Sequence, residues 1–113
     1  MLTIEKLNQT GANTAEGLAR CFGNEAFYLR LVGMIPREKN FDVLENAIKD
    51  GNLDNAFEAA HALKGILGNL SLTPMYNTVC EMTELLRART DVDYTPMLRK
   101  LLDSRDMLAV LCD

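Results

Sequence analysis

One stretch, Leu53 to Leu70, carries an amphipathic pattern that dictates a long helix and leaves the rest of the chain to pack around it. At about 100° per residue, Leu53, Ala56, Phe57, Ala60, Leu63, Leu67 and Leu70 share one broad apolar face. His61 is the only histidine in the protein, and it lies roughly 120° from the centre of that face. Gly65 and Gly68, four and seven residues later, share its sector. Each interior glycine costs about 1 kcal/mol relative to alanine. Two of them beside one imidazole imply that something has to come close. Lys64, at i+3, flanks the ring, where its long stem can lie along the helix and its ammonium can reach an anion.

The remaining segments also read as helices. Met1 to Ala12 is a short approach segment that Gly11 ends. Asn13-Thr14-Ala15-Glu16 resembles a capping box opening a first helix, with Ala15, Leu18, Ala19 and Phe22 expected inward. Gly23 stops it and Asn24 caps a second helix, Glu25 to about Ile35, with Phe27, Leu31, Met34 and Ile35 inward. Pro36 bends or breaks this run. Phe41, Leu44, Ala47 and Ile48 then repeat at helical spacing between roughly Arg37 and Lys49, and Asp50-Gly51-Asn52 turns the chain into the histidine helix.

After Leu70, Thr73-Pro74 and Thr95-Pro96 each pair a capping residue with proline at the first helical position. The helix that follows the first pair runs to about Arg89, with Met75, Thr78, Val79, Met82 and Leu86 as its core stripe. The final helix turns Met97, Leu98, Leu101, Leu108 and Cys112 inward and leaves Arg99, Lys100, Asp103 and Arg105 to solvent. No strand pattern competes. Short connections favour antiparallel neighbours, so the expected fold is all-α: an up-and-down four-helix bundle with one or two additional short helices, one domain over residues 1–113.

Charge and cysteine content exclude several functions. Lys and Arg number 12 against 16 Asp and Glu, and a net charge of -4 gives nucleic acid or an anionic membrane no electrostatic foothold. No run matches a transmembrane span or a signal peptide, so a cytoplasmic protein is expected. Cys21, Cys80 and Cys112 are odd in number and widely spaced, which fits reduced, packed thiols. With one histidine and no clustered cysteines, no metal or other cofactor of its own is expected.

His61-Ala62-Leu63-Lys64-Gly65 resembles the H-x-L-K-G signature of histidine-containing phosphotransfer (HPt) domains, four-helix-bundle carriers that shuttle a phosphoryl group between receiver-domain aspartates. The resemblance continues through Gly68-Asn69-Leu70, and Gly17-Leu18-Ala19-Arg20 and Phe27-Tyr28-Leu29 are similar to the family's opening helices. The sequence departs from the pattern at Ser71, where the family usually has glycine, and at Ile66 and Leu67, where small or polar residues are common, so the end of the helix is open.

The resemblance implies a phosphorelay intermediate rather than a complete stand-alone enzyme. His61 would be the phosphorylated nucleophile, Lys64 would neutralise phosphate and Gly65 would clear space for the partner. Gly68 and Asn69 would belong to the docking face, although Gly68 can equally serve close helix packing and Asn69 can simply end the helix. Implied partners are response-regulator receiver domains and a hybrid sensor histidine kinase, with magnesium on the receiver, and a monomer is expected. The alternative is a helical adaptor that binds receiver or kinase domains without accepting phosphate, against which the intact His61, Lys64 and Gly65 argue. A sensor-kinase dimerisation helix pair fits poorly, because Ala62 stands where an acidic residue usually follows the histidine. A hydrolase or metal enzyme lacks any visible acid, second nucleophile or ligand set.

Overall fold

The structure, a computed structural model, describes residues 1–113 and is helical throughout, without a strand. Seven α-helices follow one another: α1 (Ile4–Gln9), α2 (Thr14–Arg20), α3 (Glu25–Gly33), α4 (Asn40–Lys49), α5 (Leu53–Asn69), α6 (Thr73–Arg87) and α7 (Thr95–Cys112), with a 3₁₀ turn, Ile35–Arg37, between α3 and α4. The four longest, α4 to α7, pack antiparallel in sequence order, α5 between α4 and α6, and α7 closing the ring against α4 and α6. Three short helices precede them instead of the one or two expected, because the approach segment itself contains α1, capped by Thr3. No helix is long and apolar enough to cross a membrane.

The starts of α2, α3 and α5 follow from three asparagines. Asn13, Asn24 and Asn52 each accept a hydrogen bond from a first-turn amide, those of Glu16 (3.2 Å), Phe27 (3.1 Å) and Asn55 (3.0 Å). The expected threonine caps fail: Thr73 and Thr95 are already the first helical residues, and Leu72 and Tyr94 precede them without a side-chain cap. Proline at the second helical position makes up part of the difference, since it needs no amide partner there.

Four helices end alike. Beyond α2, α4, α5 and α6 the chain enters the left-handed region at Phe22 (φ 58), Gly51 (φ 70), Ser71 (φ 57) and Arg89 (φ 52). In each case the next amide donates back five residues: Gly23 to Leu18 (2.7 Å), Asn52 to Ala47 (2.9 Å), Leu72 to Leu67 (3.1 Å) and Thr90 to Leu85 (2.9 Å). Only α4 uses glycine for this bend. α5 thus ends at Asn69, and Ser71 adopts the conformation for which glycine is the natural choice.

The core takes the expected faces of the longer helices. Phe41, Leu44 and Ala47 of α4, Ala56, Ala60, Leu63 and Leu67 of α5, and all five expected residues of α6 are buried. The short helices are turned differently. α2 buries Thr14 and Gly17, with Cys21 just beyond its end, while Phe22, expected inward, is 98% exposed. α3 buries Tyr28 and Val32, and Phe27 and Met34 reach solvent at 38% and 56% exposure. The cause is one contact. The Tyr28 ring lies so close to Gly17 that an added Cβ would sit 2.5 Å from it, and the Tyr28 hydroxyl donates to the Leu70 carbonyl at 2.7 Å. Arg105 is also less solvated than expected: its guanidinium lies 5.6 Å from the Phe41 ring centre and 3.7 Å from Asp42, tying α7 to α4.

Candidate functional site

α5 presents His61 from its middle, the ninth of seventeen residues. Asn52 caps the helix, and Asp54 in the first turn complements the dipole. Arg89, two residues beyond the end of α6, pairs with Asp54, and that hydrogen bond and charge hold the Asp54 carboxyl below the usual carboxylate range. The buried face of Ala56, Ala59, Ala60, Leu63 and Leu67 fixes the rotation of the helix and leaves His61 and Gly65 exposed. The Phe57 ring, half-buried one turn before, stacks on the imidazole with centres 5.7 Å apart and planes 18° apart. From α6, the Arg87 guanidinium lies 5.3 Å from the centre of that same Phe57 ring.

His61 opens on a polar cleft of about 610 Å³ between α2, α5 and α6. Lys64, Gly65, Gly68 and Asn69 line it too, so the structure brings all five sequence-indicated residues to one surface. The two glycines differ. Nothing lies within 4 Å of where a Gly65 Cβ would stand, so no contact within the chain requires glycine there. At Gly68 an added Cβ would lie 2.8 Å from Cε1 of Tyr76, so internal packing alone accounts for that glycine.

The far wall of the cleft was not legible as part of a site. Arg20 of α2 donates to the Gly68 carbonyl and, at 3.1 Å, to the Ser71 hydroxyl, and pairs with Glu16 at 3.1 Å. Ser71 donates to the same Glu16 carboxylate at 2.9 Å, and the Asn13 amide donates to the Ser71 carbonyl at 2.9 Å. The hydroxyl that glycine would lack therefore ties α2 to the end of α5. The Glu16/Arg20 spacing of four residues was the available signal, but their partners lie about fifty residues away. Tyr76 borders the cleft as well, and the neighbouring Cys80 thiol keeps its phenol above the ordinary value. Behind the wall, burial first and the nearby Cys21 second push the Tyr28 phenol up to about 12. All three cysteines are free.

This arrangement offers an exposed nucleophilic ring, a cation three residues on and a bare approach over Gly65. One family model, the Hpt domain, matches residues 38–111, about two thirds of the chain. No curated protein and no solved structure matches.

Proposed function

The chain belongs to the Hpt domain family, whose members perform histidine phosphotransfer in two-component signalling with receiver domains, and we propose that it acts there as a phosphorelay intermediate through His61. The observation that carries this reading is the exposed imidazole at mid-helix, facing an open cleft with Lys64 beside it and nothing over Gly65.

Neutral imidazole has a lone pair available near physiological pH. In the proposed step one ring nitrogen forms a bond to the phosphorus of a receiver's aspartyl phosphate, the phosphorus–oxygen bond breaks, and aspartate leaves as a carboxylate. The other ring nitrogen keeps its hydrogen, and the reverse step passes the group to a second receiver. Lys64 offsets charge on the phosphoryl oxygens, and Gly65 lets the partner's backbone reach the ring. Gly68 and Asn69 form the edge of the docking surface. Magnesium belongs to the receiver, where it neutralises charge on the transferring group. The chain needs no cofactor of its own in this reading, operates in the cytoplasm as a single domain and a monomer, and draws its phosphoryl groups from a hybrid sensor kinase by way of a receiver.

The test is transfer from a panel of labelled receiver domains to the wild type and to His61→Gln. The expected product is an acid-labile, base-stable label on the wild type alone. A folded wild-type chain that takes no label from any receiver would favour the adaptor reading.

A further inference from the structure

We propose that Phe57 is a positioning residue for the phosphoacceptor, holding the His61 ring in the plane from which its nitrogen meets the incoming phosphorus; this rests on the reading of His61 given above. A reactive histidine is ordinarily oriented by a hydrogen bond on its second nitrogen. His61 has no such tether within the chain. Its ordered neighbour is the Phe57 ring one helical turn earlier, stacked at 5.7 Å with an 18° tilt. An exposed imidazole on a helix otherwise samples several rotamers about two side-chain torsions, and only some aim a nitrogen along an approach path.

Phe57 can fill this role because it is itself restrained. It is half-buried, so its ring sits against the core cluster as well as against His61. Arg87 reaches it from α6, the guanidinium 5.3 Å from the ring centre, and is held in turn by Glu84 at 3.5 Å. Orientation thus passes from the α5/α6 interface through Phe57 to the imidazole. A leucine at position 57 would keep the apolar contact with the core and lose the flat surface.

The experiment compares the wild type, Phe57→Leu, Phe57→Tyr and His61→Gln with two donors, phosphoramidate and a phosphorylated receiver domain. The first donor is small and needs no docking surface. Phe57→Leu is expected to slow phosphohistidine formation by roughly three- to tenfold with both donors, since an aromatic pair is the interaction removed. Phe57→Tyr is expected to restore the wild-type rate. In the wild type, the His61 ring protons should show an upfield ring-current shift that survives in Phe57→Tyr.

An unchanged rate with phosphoramidate in Phe57→Leu, including slowing confined to the receiver donor, would overturn the proposal and leave the carrier function standing. So would failure of Phe57→Tyr to restore the rate. Absence of the ring-current shift in the wild type overturns it independently of how the leucine variant folds. Label that survives His61→Gln would remove the phosphoacceptor reading and this inference together.

Discussion

Gly65→Ala separates the stability of this chain from its proposed transfer. The helix gains about 1 kcal/mol when alanine replaces an interior glycine. No packing cost opposes that gain, because nothing stands within 4 Å of the new methyl group. An unfolding entropy of about 2.1 cal/mol/K per residue gives about 0.24 kcal/mol/K for 113 residues, so the Tm should rise by about 4 °C. The same methyl occupies the approach to His61. Crowding a packed contact by one methyl costs about 1–3 kcal/mol, so transfer from a receiver should fall by about five- to 150-fold. Thermal unfolding followed by circular dichroism reads the first effect, and single-turnover transfer from a phosphorylated receiver reads the second. A higher Tm with unchanged transfer would refute the view that Gly65 clears space for a partner; a lower Tm would refute the account of its surroundings. Gly68→Ala is the internal control, since its methyl must displace the Tyr76 ring and should forfeit the gain in Tm.

Three further outcomes follow from the packing. Gly17→Ala should destabilise the fold by about 2–4 kcal/mol despite better helix propensity, because the methyl would drive the buried Tyr28 ring off its hydrogen bond to Leu70; chemical denaturation would show it, and a stability equal to wild type would contradict it. Phe22→Gly should stabilise by about 1 kcal/mol, since an exposed side chain gives little back for its left-handed backbone, whereas Ser71→Gly should gain less because it loses the bonds to Glu16 and Arg20; equal gains would show that the serine hydroxyl contributes nothing. Folded Tyr28 holds its proton up to about 12 while the unfolded phenol releases it near 10, so its contribution is complete below pH 10 and is lost as pH rises towards 12; Tyr28→Phe should flatten that alkaline fall in Tm.

The long helices were legible because each carries enough turns for its apolar stripe to outvote any single residue. α6 buries all five of its expected residues, and the asparagine caps sit where the sequence places them. In α2 and α3, with seven and nine residues, the hydrophobic pattern points about one position away from the buried faces. Their orientation depends on a tyrosine against a glycine, a contact between helices that hydrophobicity along either one does not report. In the candidate cleft, His61, Lys64 and Gly65 fall within about one turn of α5, so their common surface follows from helical spacing, while the roles proposed for them come from the family resemblance. Arg20 and Ser71 meet across 51 positions, so their bond could not be read from local pattern. Ser71 looked like a departure from a glycine position, and the structure shows the same backbone shape kept with a hydroxyl added.

The place of His61 at the centre of α5 has a kinetic consequence. At about 1.5 Å per residue the helix is about 25 Å long, and two turns of hydrogen-bonded backbone separate the histidine from either end. Fraying, which takes the first and last turns, does not reach it. Amide exchange around position 61 should therefore require opening on the scale of the whole bundle, and every collision presents the same arrangement of backbone. The helix backbone beneath the ring needs no refolding before an encounter, so the affinity of a docking partner carries no penalty for ordering it.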